Sequence, residues 1–158
     1  VVADALDIET LVTEAEMPDV IKWDEASPVT FQGDKAEFVD YQAAAKELTP
    51  VAEYLTANPQ QKVYIFGMTA TVTGGNNGTE LATKRAQTVR NVLTEKGVSE
   101  DQITCVGLGQ ISNPLRVDDV DANGHQIQEL AQKNRAVFVI REESDMVNVL
   151  LDCVNSYV

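Results

Sequence analysis

Apolar and polar positions change period along the chain, and the changes predict strands and helices in alternation. Short apolar runs rich in β-branched residues predict buried strands at 62–67, 103–109 and 136–140. Apolar residues at helical spacing predict helices over 36–58, 80–96, 126–133 and 146–154. Pro50 falls inside the first of these helices and is expected to break or kink it, or to start a second segment. Thr79 is the expected N-cap of the second helix and Gly97 its left-handed C-terminal cap.

Weaker patterns precede the first long helix. Two short strands are predicted at 19–23 and 29–31, and a weak helical spacing predicts a further helix over 3–16. Strands that alternate with helices are typical of layered α/β domains, with the helices packed on a small mixed sheet. A length of 158 residues is that of one domain with a real hydrophobic core. The expected fold class is therefore α/β, an α+β sandwich.

The charge of the chain is strongly negative and unevenly distributed. The formal net charge is −13 and the pI is near 4.3, which argues against nucleic acid and anionic membrane as partners. Residues 1–28 contain eight acidic residues and one lysine, so −7 of the net charge lies there. This composition predicts a solvated acidic extension. No apolar run reaches transmembrane length, and no signal-like segment is present, so we expect any signal or anchor to lie outside this chain.

A charged residue interrupts the apolar face of the helix over 80–96. Arg85 lies one turn after Leu81 and one turn before Val89, on the side that these residues share with Leu93. A guanidinium carries five donors, stays charged, and is rarely buried without partners. Arg85 either extends to the edge of this face or binds an anion beside the glycine- and asparagine-rich loop at 74–78.

The remaining chemistry-bearing residues give no catalytic set. The chain has one histidine, His125, and no serine or cysteine stands in a motif with it, so we expect no enzyme and no cofactor. Cys105 and Cys153 are too few and too far apart for a metal motif. They form either a disulfide, which implies an oxidising compartment, or two buried free thiols.

Residues 119–130 partly resemble a calcium-binding loop. Asp119, Asp121, Asn123 and Gly124 occupy the first, third, fifth and sixth positions of that pattern. The twelfth position, where a bidentate glutamate is needed, is Leu130. A plain turn before a helix explains these residues better, and we expect no metal site.

Several short motifs in a fixed order give the chain a family resemblance. They are FQGDK at 31–35, IFGMT at 65–69, LATKRAQTVRNVL at 81–93, residues 98–103 with GLG at 107–109, Asn113-Pro114, and Asn134-Arg135 before AVFVI. This order resembles the OmpA-like domain, the peptidoglycan-associated module of outer-membrane protein A, peptidoglycan-associated lipoproteins and flagellar stator proteins. The resemblance covers about residues 29–141 and implies the order β-α-β-α-β-α-β. It leaves residues 1–28 as the acidic extension and 142–158 as a C-terminal helix packed on the same domain.

The resemblance also implies a ligand. In the family an aspartate after the G-x-T motif accepts the ammonium of diaminopimelate in the wall peptide, and the arginine of R-A-x-x-V holds its carboxylate. Arg85 and Arg135 match the two family arginines, whereas the aspartate position is Ala70. Arg135 also has the simpler interpretation of a strand-start arginine paired with a nearby carboxylate. The candidate ligand-binding residues are Arg85, Arg135, Thr69, Thr71, Asn134 and Asp34, the last as a substitute for the missing acid.

The expected function is that of a non-enzymatic cell-envelope domain that binds peptidoglycan stem peptide, or a related carboxylate ligand, without a covalent bond. The alternative is a structural or protein-interaction module of the same fold that has lost peptidoglycan binding, with an envelope protein as its partner. Either function implies an extracytoplasmic location, in the periplasm or at the cell surface. Membrane attachment is then expected only through an anchor outside this chain.

Overall fold

Four strands of the chain form one mixed sheet in the computed structural model, which describes residues 20–22, 27–33, 35–71 and 78–157. The strands are β1 (Val20–Lys22), β2 (Val63–Met68), β3 (Ile103–Gly109) and β4 (Val137–Arg141). Their order in the sheet is β1-β4-β2-β3. β4 pairs antiparallel with both β1 and β2, while β2 and β3 run parallel. The predicted α/β class with a small mixed sheet is confirmed.

Four α-helices accompany the sheet in the part of the chain that the structure describes. They are α1 (Tyr41–Ala57), α2 (Thr79–Glu95), α3 (Gln128–Asn134) and α4 (Asp145–Tyr157). A short 3₁₀ turn at Glu100–Gln102 leads into β3 and carries a capping box formed by Ser99 and Gln102. The helices predicted over 36–58, 80–96, 126–133 and 146–154 are present, with ends that differ by up to five residues. The weak helix predicted over 3–16 lies outside the described residues.

The period-two pattern of β2 and β4 divides the core into two layers. Val63 and Ile65 of β2 pack with α1 and α2 on one face of the sheet, whereas Phe66 and Met68 face the other side. That second layer is closed by α4, through Val147 and Leu150 among others. The C-terminal helix therefore covers a sheet face that would otherwise be exposed.

Two glycines let α2 lie directly on the sheet. A Cβ added at Gly67 would stand 2.1 Å from the carbonyl oxygen of Ala82, and one at Gly107 would stand 2.2 Å from Oγ1 of Thr83. Real Cβ atoms do not approach other heavy atoms this closely, so only glycine fits at these positions. This close approach fixes the height of α2, and hence of Arg85, above β2 and β3.

Three local predictions were wrong. Residues 29–31 form no strand, because Phe31 makes only an isolated bridge to Phe38. The strand predicted at 19–23 is present as β1, and it lies inside the segment assigned to the acidic extension. Pro50 neither ends α1 nor starts a second segment, since α1 runs continuously from Tyr41 to Ala57, while the kink also predicted there stays a prediction. Pro50 is exposed, and the carbonyl group that it leaves unbonded, that of Lys46, is on an exposed residue. Gly78, in a left-handed conformation with φ of 74°, is the N-cap of α2, and Thr79 is the first helical residue.

The two cysteines are both free thiols. Cys105 packs with the core layer on the side of α1 and α2, whereas Cys153 belongs to α4 on the opposite face of the sheet. The sheet therefore separates the two sulfur atoms, and the disulfide alternative is excluded. Burial raises the pKa of the Cys105 thiol, with a smaller opposing effect from the charge of Arg90, so this thiol is a poor nucleophile at neutral pH.

Candidate binding site at the end of strand β2

Arg85 lies inside the protein. Its side chain is 1% exposed and stands over the ring of Phe31, with Cζ 5.3 Å from the ring centroid. Its guanidinium donates to three backbone carbonyl groups: Nε to Lys35 at 2.9 Å, Nη1 to Met68 at 3.0 Å and Nη2 to Gln32 at 3.0 Å. Arg85 therefore ties the segment 32–35 to the end of β2, an arrangement that neither sequence-based interpretation anticipated.

Arg135 approaches the same segment from α3. It follows the last residue of that helix, is half-buried, and its Nη1 donates to Oε1 of Gln132 at 2.7 Å. A Cβ added at Gly33 would stand 3.5 Å from Nη2, so the guanidinium lies against the backbone of Gly33. The two predicted arginines thus meet at one short segment. Asp34, the predicted substitute acid, lies outside the described residues.

Thr69 and Thr71 follow β2 and have different surroundings. Thr69 is fully buried, and its Oγ1 has no hydrogen-bond partner among the described residues and lies against Gly78 at the start of α2. Thr71 is half-buried, and its backbone N–H donates to Oδ2 of Asp119 at 2.9 Å. Both threonines thus lie at the end of β2, and their backbone groups contact charged side chains there: the Thr69 carbonyl contacts Arg116 and the Thr71 N–H contacts Asp119.

Asn134 is fully buried and satisfied internally. Its Nδ2 donates to the carbonyl of Val117 at 2.8 Å and to Oδ2 of Asp119 at 3.0 Å, and its Oδ1 accepts from the N–H of Val117 at 3.1 Å. The side chain therefore fixes the segment 117–119 on α3, and in this position it supports the site from within.

A polar cluster lies at this end of β2, which we call the Asp119 cluster: Thr71, Arg116, Asp119 and Asn134. Sequence reasoning named Thr71 and Asn134 but missed Arg116 and the role of Asp119. Nη1 of Arg116 donates to the carbonyls of Thr69 at 2.7 Å and Gly109 at 3.1 Å, and Nη2 donates to Oγ1 of Thr71 at 2.7 Å. Nη2 also stands 3.9 Å from Oδ2 of Asp119. Arg116 thus joins the ends of β2 and β3. The available signal was the pair of acids Asp118-Asp119 soon after Asn113-Pro114, but Asp119 was assigned to the calcium-like pattern.

A model of the OmpA family matches residues 30–137, which is more than half of the chain. The chain belongs to the OmpA family. The predicted resemblance is confirmed, and the matched region contains every candidate site residue.

Two curated relatives of this OmpA-family chain carry peptidoglycan in their names. The peptidoglycan-associated lipoprotein of Buchnera aphidicola is 33% identical over 95 residues, which are 60% of this chain and 51% of that protein. The peptidoglycan-binding protein ArfA of Mycobacterium tuberculosis is 32% identical over 103 residues, which are 64% of this chain and 30% of that protein. The chain thus spans about half the length of the first relative and under a third of the second.

Solved structures show the same fold. The peptidoglycan-associated lipoprotein from Burkholderia pseudomallei superposes with a TM-score of 0.56 at 26% identity, over 72% of this chain and 88% of that one. The periplasmic domain of Helicobacter pylori MotB superposes with a TM-score of 0.61 at 17% identity, over 87% and 85% of the two chains. At that identity the likeness to MotB concerns the fold alone.

The electrostatics of this OmpA-family site centre on Asp119. Burial pushes the pKa of its carboxyl group upward, but hydrogen bonds from Thr71 and Asn134 and the charge of Arg116 outweigh burial, and the pKa lies below its ordinary value. Burial lowers the pKa of Arg116, against the attraction of Asp119 and Asp118. Arginine nevertheless stays protonated at neutral pH, so the cluster contains one cation and one anion.

The lowered pKa of Asp119 predicts a pH-dependent contribution to stability. A carboxyl group whose folded-state pKa is depressed stabilises the fold above its ordinary value of 3.8, and this contribution is lost as the pH falls through the folded-state value. We expect wild type to exceed Asp119→Asn in free energy of unfolding at about pH 6, with a gap that narrows below about pH 4. Urea unfolding at several pH values measures the gap. Asp118→Asn, at an exposed neighbour, is the control, and a gap that does not narrow in acid contradicts the assignment.

The calcium-like pattern forms a turn. Oδ1 of Asp121 accepts hydrogen bonds from the N–H groups of Asn123 at 2.8 Å and His125 at 2.9 Å. Asp119 faces Thr71 and Asn134 instead. Among the described residues there is no group of three or more histidine, cysteine or acidic side chains that could hold a metal ion. Within the same described part, no helix is long and apolar enough to cross a membrane.

Proposed function

We propose that this chain is a non-enzymatic cell-envelope domain that binds peptidoglycan stem peptide, or a related carboxylate ligand, non-covalently at the segment 32–35. The observation that carries the proposal is the placement of Arg135. Its guanidinium is half-buried against Gly33, and among the described residues its one side-chain hydrogen bond goes to neutral Gln132. Membership of the OmpA family and the names of the two relatives support the same ligand class.

The two arginines have separate tasks in this proposal. A guanidinium presents five donors in a planar fork, and the bond to Gln132 uses one of those of Arg135, so the rest are suited to a carboxylate. Arg85 donates to the carbonyls of Gln32 and Lys35 and so shapes the floor of the site. We assign carboxylate binding to Arg135 and the positioning of the segment 32–35 to Arg85.

Position 70 sets the expected strength of binding. Ala70 is buried and carries no charge, where the family resemblance implies an aspartate that receives the ligand ammonium. A charge-assisted hydrogen bond contributes about 1.5–3 kcal/mol. Without a replacement acid, the usual wall peptide is expected to bind about tenfold to several hundredfold more weakly than to a domain with aspartate there.

The proposed setting is extracytoplasmic, in the periplasm or at the cell surface, with attachment through a segment outside this chain. The relatives named for peptidoglycan support this setting. A net charge of −13 fits neither nucleic acid nor an anionic membrane surface as a partner. No cofactor is part of the proposal.

A structural or protein-interaction module is the second candidate. It is favoured by Ala70 and by the use of Arg85, whose guanidinium donates to three backbone carbonyls inside the protein. A module of this kind keeps the fold and its internal arginine without needing a wall ligand.

Titration with wall peptides tests the leading proposal. We expect saturable binding of muropeptides by calorimetry, weakened about tenfold or more in Arg135→Met because the carboxylate loses its fork-shaped partner. Arg90→Met is the matched control, since Arg90 acts on Cys105 and donates to neighbouring Asn91. Absence of saturable binding by wild type, or equal binding by Arg135→Met and Arg90→Met, contradicts the proposal.

Ala70→Asp separates the two candidates. If the native chain binds wall peptide, the added carboxylate is expected to change an affinity that already exists. If the chain is an interaction module, the variant acquires affinity that wild type lacks altogether. Calorimetry on both proteins with the same muropeptide distinguishes these results, and thermal unfolding checks that the buried acid leaves the domain folded.

A further inference from the structure

Asp119 has one carboxylate oxygen without a partner. Oδ2 accepts hydrogen bonds from the N–H of Thr71 at 2.9 Å and from Nδ2 of Asn134 at 3.0 Å. Oδ1 is fully buried and has no hydrogen-bond partner among the described residues. Buried polar atoms in proteins are nearly always hydrogen-bonded, so an unpaired oxygen on an anionic group points to a donor supplied from elsewhere.

The neighbouring cation does not satisfy this oxygen. Arg116 approaches the carboxylate on the Oδ2 side, at 3.9 Å, and its guanidinium donates hydrogen bonds to Thr69, Gly109 and Thr71. Its fork is therefore used mainly to join the ends of β2 and β3. Among the described residues, the nearby positive charge and both hydrogen bonds thus involve Oδ2, whereas Oδ1 has no partner.

The location of Asp119 relates it to the proposed ligand site. Its hydrogen bond to the N–H of Thr71 places the carboxylate next to the residue that follows Ala70. The carbonyl of Met68, three residues before Thr71 on the same segment, accepts a hydrogen bond from Arg85. A carboxylate thus stands at the end of β2 although the sequence has none at positions 69–71.

We propose that Oδ1 of Asp119 accepts a hydrogen bond from a primary ammonium group on the wall peptide, and so serves as the anionic half of the ligand site. This inference rests on the proposed function. A compact ammonium suits one available oxygen, whereas a guanidinium binds a carboxylate best through both. A divalent cation requires more oxygen ligands, and the described residues around Asp119 contain no such group.

Access follows from the same contacts. Asp119 is fully buried, while Thr71, which donates to it, is half-buried. The side of the carboxylate next to Thr71 is therefore the side from which an ammonium is expected to approach. Asn134, through its hydrogen bond, and Arg116, at 3.9 Å, hold the carboxylate by Oδ2.

The test uses two stem peptides that differ in one group: one with a free side-chain ammonium on its diamino acid and one with that amine acetylated. Calorimetry on wild type is expected to show a preference for the free amine of about tenfold to a hundredfold. In Asp119→Asn this preference is expected to fall to about threefold or less, since the amide is neutral. Asp118→Asn, an exposed neighbouring acid, is expected to keep the wild-type preference.

The ratio of the affinities for the two peptides separates a direct contact with the ligand from an effect on the fold. If Asp119→Asn loses its fold or its general affinity, the binding of both peptides weakens equally and the ratio of their affinities is unchanged. That result overturns the assignment of Asp119, while wall-peptide binding stands. No saturable binding of either peptide by wild type overturns both proposals. If Asp119→Asn does not fold, the ratio of the two peptide affinities measured on wild type is the remaining test. Equal affinity for the two peptides excludes a charged acceptor for the ammonium.

Discussion

Arg85→Met is expected to lower the free energy of unfolding by about 3–5 kcal/mol. The methionine fills a similar volume but donates no hydrogen bonds, so the carbonyls of Gln32, Lys35 and Met68 lose the partner that the guanidinium supplies. The Met68 carbonyl is buried, and a buried acceptor carries a desolvation penalty of about 1–3 kcal/mol when left unpaired, whereas the carbonyls of Gln32 and Lys35 are partly buried and contribute less. Chemical denaturation monitored by circular dichroism measures the change.

The matched control is Lys84→Met, one position earlier on α2. The side chain of Lys84 is 61% exposed and makes one surface ion pair with Glu80, so its loss is expected to change stability by less than about 0.5 kcal/mol. Arg85→Lys is expected to recover only part of the loss, because one ammonium cannot reach three carbonyls in the geometry of the fork. A stability of Arg85→Met equal to that of Lys84→Met contradicts the internal role of this arginine.

The Arg85 result has a consequence for binding experiments. Because Arg85 ties the segment 32–35 to Met68, its removal is expected to disturb any ligand site at that segment. A loss of wall-peptide affinity in Arg85→Met therefore does not identify Arg85 as a ligand contact. Arg135 is the informative position, since its described side-chain hydrogen bond is local, to Gln132 of α3.

Gly67→Ala is expected to lower the free energy of unfolding by about 3 kcal/mol. The added methyl group would stand 2.1 Å from the carbonyl oxygen of Ala82 and 2.9 Å from its carbonyl carbon. These are backbone atoms of α2, which cannot rotate away as a side chain can, so the helix must rise from the sheet. The entropic gain of replacing glycine by alanine, about 0.4–1 kcal/mol, is too small to offset that displacement.

Gly33→Ala provides the comparison for this variant. The three heavy atoms nearest to a methyl group there all belong to the side chain of Arg135, the closest at an ordinary contact distance of 3.5 Å, so a change of less than about 1 kcal/mol is expected. Urea denaturation of both variants gives the difference. If Gly67→Ala is as stable as Gly33→Ala, then α2 does not lie at the distance from β2 that the structure shows.

Secondary structure was largely predictable because it depends on local periodicity. The strand at 62–67 and the helix at 80–96 have long, regular patterns, and both were found with small shifts at their ends. The errors occurred where tertiary contacts override local preference. Residues 29–31 have strand-forming composition, yet the place beside β4 is taken by Val20–Lys22.

The site was predictable in part. The family motifs identified Arg85 and Arg135 by position, and both contact the segment 32–35 in the structure. The motifs gave no information about which donors of Arg85 are used inside the protein, because its partners are backbone carbonyls from distant segments. Asp119 was known only as a member of a calcium-like pattern, since its neighbour Thr71 is 48 residues away in the chain.

The sequence by itself determined the alternation of strands and helices, the family, and the absence of an acid at position 70, because each of these is a property of residue types and their spacing. Only the tertiary structure decided that Arg85 is an internal tie, that the sheet separates Cys105 from Cys153, and that a carboxylate from residue 119 stands at the end of β2. The physical reason is that burial and hydrogen-bond satisfaction depend on groups brought together from distant parts of the chain, and local spacing carries no record of those partners.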